Sequence, residues 1–233
     1  MALMKPSESW AVTAQGAAER QGLAARSELR LRNAMETFLR ARYPVARICH
    51  EMVMGEREVR ADTVAICPDH IAAVEVKGEY DKMTRLLHQA GMYQLCVPEV
   101  WLLTSDKDHC DDAATIRYLM PSLGLITATG IRDRYNTSDQ DCVLTVVAEP
   151  VPRQPHPKMM LEMMWAEELA SICGRTRVMQ ITSRRPTRSV MIGALDAALT
   201  SQTMLVECCT ELRARHALWR ADPPVQPQCT GDT

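Results

Sequence analysis

Three residues have types and spacing that suggest chemistry: Asp62, Glu75 and Lys77. Asp62 is the lone acid of an apolar stretch, Val59 to Ile66, and Glu75-Val76-Lys77 closes a second, Ile71 to Lys77. In an extended strand successive side chains point to opposite faces, so Glu75 and Lys77 share one face while Val74 and Val76 share the other. Two carboxylates on neighbouring strands form a hard-oxygen donor set. Mg2+ is commonly held by one or two carboxylates together with waters and substrate phosphate. A lysine beside such an ion can position or deprotonate a water, or steady charge developing on a phosphate. The alternative is a buried Glu–Lys ion pair with no chemistry.

The elements that must position these residues can be read around them. Cys67-Pro68-Asp69-His70 is a turn joining the two strands. Upstream, Ser27 is a candidate N-cap, and Leu31, Met35, Phe38 and Leu39 recur at helical spacing until Pro44. Val45 to Met54 reads as a first strand, and it carries Glu51. Downstream, Met83, Leu86, Leu87 and Ala90 predict a helix over 80–95, whose polar stripe holds Arg85, Gln89 and Tyr93 at i, i+4 and i+8. Val100 to Thr104 is a further apolar strand, and strand 71–77, helix 80–95 and strand 100–104 form a βαβ unit. A helix through Met120, strands at 124–129 and 142–148, and a loop at 130–140 follow.

Asp62, then Glu75-x-Lys77 at the end of an apolar strand, then Gln89-x-x-x-Tyr93 on the next helix, resembles the PD-(D/E)XK nuclease superfamily. The wider pattern ARICHEMVMGEREVRAD and VEVKGEYDKMTRLLHQ is similar to its MmcB-like and small phage-type branch, over roughly residues 27–104. The resemblance implies an α/β fold with a restriction-endonuclease-like α-β-β-β-α-β core and mixed sheet, followed here by a helical C-terminal region. It implies a metal-dependent nuclease, a Mg2+-dependent phosphodiesterase acting on DNA. Asp62 and Glu75 would bind Mg2+ or Mn2+ with the Val76 carbonyl, Lys77 would position the attacking water, and Gln89 would orient water or substrate. Glu51 falls where the resembling proteins also carry an acid, making it a candidate third carboxylate; Glu28 and Glu36 are candidate acids of the first helix. Arg60, Arg85 and Tyr93 are candidate nucleic-acid contacts. A non-catalytic nucleic-acid-binding or interaction module on the same fold is the alternative.

Composition sets limits on these readings. A net charge of −2 and a pI near 6.3 give no global basic field, so nucleic-acid contacts would have to be gathered locally. The nine cysteines contain no C-x-x-C pair, and Cys49-His50 and His109-Cys110 lack zinc-site spacing, which points to reduced thiols and a cytoplasmic setting. No run approaches the roughly 20 apolar residues of a membrane span. Domain organisation is expected as follows: an N-terminal segment, 1–24, with no packing pattern; a nuclease-like domain, 25–149; a proline-rich linker from Glu149 to Pro157; a helical region, 158–220; and a tail, 221–233, starting at Asp222-Pro223-Pro224 with no reason to fold. In the helical region Gly174 is a candidate helix stop, with two more helices near 189–200 and 202–219. Arg175, Arg177, Arg184, Arg185 and Arg188 are either a phosphate-binding cluster or a solvated loop. Oligomeric state stays open, a dimer included.

Overall fold

The structure, a computed structural model, describes residues 28–55, 59–78, 81, 83–105, 110–129, 142–181, 185–216 and 220–225. The expectations for residues 1–24, Ser27, loop 130–140, Arg184 and the end of the tail lie outside these. Helix α1 (28–42) is followed by strands β1 (Arg47–Met54), β2 (Val59–Ile66) and β3 (Ile71–Lys77). A single 3-10 turn, Met83–Arg85, leads into α2 (Leu86–Cys96), so the helix starts six residues later than the spacing predicts. Next come β4 (Glu99–Ser105), α3 (Cys110–Leu119), β5 (Gly124–Thr129) and β6 (Val143–Ala148), then helices α4 (Pro157–Glu162), α5 (Ala166–Arg175), α6 (Arg188–Ala198) and α7 (Ser201–Ala214).

The chain is α/β, with one six-stranded mixed sheet in sequential order. β1/β2, β2/β3 and β5/β6 are antiparallel, while β3/β4 and β4/β5 are parallel. All seven residues of β3 and of β4 are buried, as near-continuous apolar runs covered on both faces should be. One face is closed by α1, whose Leu31, Met35 and Leu39 pack on Ile48, Ala72, Val74, Val76, Trp101 and Ile126. The other is covered by α2, α3 and the C-terminal helices in one continuous hydrophobic cluster. Both crossover helices lie on that second face, as same-handed crossovers between successive neighbours require.

The C-terminal part departs from the sequence expectation. The proline-rich segment is tied to the connections beside the sheet: Val151 N–H donates to Ser122 before β5, Arg153 N–H to Pro98 before β4 and His156 N–H to Leu95 near the end of α2. Packing is continuous across it, with α4 to α7 sharing a core with β1, β2 and α2. Gly174 lies inside α5, and the expected single helix breaks at Met163–Trp165. That break puts Glu168 where its carboxylate takes both the Trp165 N–H, at 2.7 Å, and the buried Arg215 guanidinium, at 2.5 Å. The tail is not idle either. Asp222 accepts from Ile48 N–H at 2.9 Å and holds Arg40, and Val225 N–H donates to Arg213. The cause is Arg47, fully buried, which donates to the carbonyls of Leu212, Arg213 and Arg215 at the end of α7 and to that of Asp222.

Candidate active site

β2 and β3 stay paired from Ile66/Ile71 to Thr63/Val74 and then part. Continuing that register would set Asp62 opposite Glu75. Parting leaves backbone donors that need acceptors. Asp62 meets one of them: its Oδ2 accepts the Val76 N–H at 2.7 Å. The Tyr93 hydroxyl reaches the Arg60 carbonyl, at 2.8 Å. The opening thus brings Asp62 to the backbone of the Glu75-x-Lys77 segment.

β1 contributes a second irregularity. Glu51 sits in the left-handed region, at φ 55°. Side-chain alternation reverses here on both strands: Cys49 and Val64 face the helical cluster, as do Met52 and Ala61, although each pair of positions along its strand differs by an odd number. A non-glycine residue in this conformation costs on the order of 1–2 kcal/mol and is found where surrounding contacts impose it. Here the contacts are ionic. Glu51 Oε1 is 2.7 Å from Arg32 Nη2, and Oε2 is 2.6 Å from Arg60 Nε.

Glu75 and Lys77 point toward α2, and Val74 and Val76 toward α1, as the strand period requires. Lys77 Nζ donates to Glu75 Oε1 at 2.6 Å and to Gln89 Oε1 at 3.2 Å, and Tyr93 donates to Glu75 Oε2 at 2.6 Å. The Gln89/Tyr93 stripe of α2 therefore meets the Glu75/Lys77 face of β3.

Two carboxylates on this sheet, Glu99 buried and Asp62 half-buried, behave in opposite ways. Glu99, at the start of β4, accepts from Tyr43 and, at 2.6 Å, from Trp101 Nε1–H, with His70 Nε2 at 3.0 Å. Burial pushes its carboxyl up, but hydrogen bonds from His70, Tyr43 and Trp101 outweigh that and hold it below the ordinary value. Asp62 is pushed up to about 7, first by burial and then by the Glu75 charge, against the weaker help of Val76 N–H and Arg32. The first carboxylate is satisfied in place, and the second shares a single guanidinium with two other acids. Perturbation by burial plus a specific charged neighbour marks candidate functional sites.

The remaining expected residues distribute as follows. Arg60 pairs with Glu51 rather than with Asp62. Arg85 is exposed on the 3-10 turn. Tyr93 is fully buried, so it corrects the expectation of a nucleic-acid contact: its hydroxyl is directed inward to Glu75. Glu36 pairs with Arg40 and lies 3.3 Å from His50, and Glu28 reaches the site only through Arg32. Arg185 pairs with Glu167, Arg175 with Glu207 and Glu211, and Arg188 with Glu162, so these arginines tie helices together. Sequence reasoning missed Arg32, whose Nη2 touches Glu28, Glu51 and Asp62. Its position next to the buried stripe residue Leu31, one turn after Glu28, was the available signal. Among the described residues no three His, Cys, Asp or Glu side chains gather as a metal-holding group.

A family model for the bacteriophage P4 protein cII matches residues 22–221. The chain belongs to the bacteriophage P4 cII protein family. The match spans the whole sheet and all the C-terminal helices, so this family shares both parts of the molecule. No curated protein and no solved structure matches the chain. No helix among the described residues is long and apolar enough to cross a membrane.

Proposed function

We propose that this protein is a divalent-metal-dependent phosphodiesterase of the PD-(D/E)XK type, acting on DNA. The observation that carries the reading is Asp62, half-buried beside Glu75 and sharing the one Arg32 guanidinium with Glu28 and Glu51, at the point where β2 and β3 open next to Lys77. The order α1-β1-β2-β3-α2-β4, antiparallel then parallel, is in keeping with a restriction-endonuclease-like core. DNA as substrate, and a cytoplasmic phage-related setting, follow from the resemblance and the family's name. The free thiols at the described cysteines Cys49, Cys67, Cys96, Cys142, Cys173, Cys208 and Cys209 agree with a reducing compartment.

On this reading a Mg2+ or Mn2+ ion would displace the Lys77 and Tyr93 hydrogen bonds that now occupy the two Glu75 oxygens. Two carboxylates suffice for Mg2+, which keeps several waters, and Asp62 is a donor whose charge is now opposed rather than matched. Asp62, Glu75 and the Val76 carbonyl would hold the ion, with Glu51 next in the row. Such an ion supplies Lewis-acid polarisation of the scissile phosphate. Lys77 holds the attacking water at its ammonium, and Gln89 and Glu75 keep that ammonium in place. Tyr93 fixes the rotamer of Glu75 from behind.

One observation favours a second reading, a non-catalytic interaction module on the same fold: Lys77 is already hydrogen-bonded to Glu75 and Gln89. Incubation with supercoiled, linear double-stranded and single-stranded DNA in Mg2+, Mn2+ or EDTA separates the two. Metal-dependent cleavage supports the enzyme; a folded protein that cleaves none of these under any metal supports the module.

A further inference from the structure

We propose that the protein forms a two-fold dimer by pairing β6 antiparallel with β6 of a second copy, so that the two sheets run on as one. The pairing does not depend on the chemistry at Asp62.

The sheet ends at β1 on one side and at β6 on the other. An edge strand presents backbone N–H and C=O groups to any further strand, and proteins normally blunt it with charge, proline, a bulge or a covering segment. The β1 edge is covered by the chain itself. Cys49 bridges Ala221, His50 N–H donates to the Arg220 carbonyl at 3.1 Å, and Asp222 N–H donates to that of Ile48 at 2.9 Å. Among the described residues no segment pairs with the outer side of β6. Its sequence, VLTVVA, holds no charge and no proline. The irregularity in its ladder with β5 falls after Val146, so Val143 to Val146 keep a regular register opposite Thr129 to Ile126. Val143 is 59% exposed and Val147 57%.

A second copy suits this edge better than a foreign strand. A strand without charge offers nothing to steer an oppositely charged partner, and it meets itself with no like charges opposed. Antiparallel pairing is also what a two-fold axis produces, with the same patch used on both subunits. Residues opposite one another in an antiparallel pair share a face of the sheet, so the axis passes through a residue rather than between two. Centred on Thr145, the pairing sets Leu144 against Val146. Both lie on the α1 face: Leu144 packs on the α1 cluster, and Val146 stands beside Ile126 of that cluster. On the same face a cleft of about 460 Å³ lies between α1 and β6, with Phe38 and Leu144 among its walls, and it offers the incoming strand an apolar surface.

The test is sedimentation equilibrium of the full chain as wild type and Thr145→Lys, each first checked for cooperative melting. The wild type is expected to pass from monomer to dimer between about 1 and 100 μM, as an interface of small area should. Thr145 is exposed, so lysine there leaves the packing of the single chain alone. It sets two like charges at the axis, and the dissociation constant should rise about fivefold or more. Thr145→Cys supplies the reading if Thr145→Lys does not fold. Opposed Cα atoms about 4.5–5.5 Å apart are within disulfide reach, so a mild oxidant should link two copies of this variant faster than two copies of the wild type. A wild type that stays monomeric at about 100 μM, a dissociation constant unmoved by Thr145→Lys, or a Thr145→Cys chain that links no faster than the wild type overturns the proposal.

Discussion

Replacing Asp62 with asparagine should stabilise the metal-free protein, and the effect should appear only above mildly acidic pH. The folded carboxyl is raised from 3.8 to about 7, by burial first and the Glu75 charge second. A raised carboxylate value means that the folded chain holds a proton the unfolded chain has released. The contribution of Asp62 to stability is therefore greatest below about pH 4, falls as pH rises through the window from about 4 to 7, and stays low above it. A shift of about 3 units at 1.36 kcal/mol each sets a ceiling of about 4 kcal/mol. The side chain is 19% exposed, and solvent screening reduces this; about 2 kcal/mol is the expected gain near pH 8.5. Asparagine keeps an oxygen for the Val76 N–H and removes the charge. Urea unfolding of wild type and Asp62→Asn in EDTA, near pH 4 and near pH 8.5, makes the comparison. Equal stability at low pH and a more stable variant at high pH is the predicted pattern. A variant destabilised at high pH, or a constant difference across the range, would refute the idea that Asp62 carries unmatched charge.

Three other substitutions test the packing that holds the site. Tyr93→Phe removes the single hydroxyl that lies between Glu75 Oε2 and the Arg60 carbonyl, and should lower urea-unfolding stability by about 1–3 kcal/mol. Arg47→Met removes the donor of four backbone carbonyls around the end of α7, with an expected loss on the order of 3 kcal/mol and faster proteolysis after Ala214. Gly124 lies beneath Trp101, where an added Cβ would come within 2.5 Å of ring carbon Cε3, so Gly124→Ala should cost about 1–3 kcal/mol by calorimetry.

The strands around the site were legible because each carries a complete local signal. β2 and β3 begin and end where the apolar runs and the Pro68-Asp69 turn place them, and the period of two puts Glu75 and Lys77 on the face that meets α2. Position along α2 was legible too, since Gln89 and Tyr93 are one helical turn apart and meet Lys77 and Glu75. What local pattern cannot carry is long-range pairing. Arg32 joins Glu51 and Asp62 across 19 and 30 positions, and its place beside Leu31 marks the edge of the buried stripe without naming either partner. The reversal at Glu51 is invisible for the same reason, because ion pairs with Arg32 and Arg60 impose a conformation its own type disfavours. The proline-rich segment reads as a linker because prolines break elements, yet its N–H groups at Val151, Arg153 and His156 dock on the α3–β5 turn, the α2–β4 connection and the end of α2. The tail was misread through Pro223-Pro224, while its anchor, Arg47, lies 175 positions away.

In the proposed reading Asp62 serves a metal-dependent hydrolysis. The most direct measurement is the cleavage rate of labelled duplex DNA with Mn2+, at enzyme in excess, for wild type against Asp62→Asn. Because the variant is expected to be the more stable protein, lost cleavage cannot be attributed to unfolding. The account predicts metal-dependent cleavage by the wild type and loss of at least about a hundredfold in the variant, the scale expected when a group positioned for the transition state is removed. Cleavage by Asp62→Asn at the wild-type rate, or none by a folded wild type in either Mg2+ or Mn2+, would contradict it.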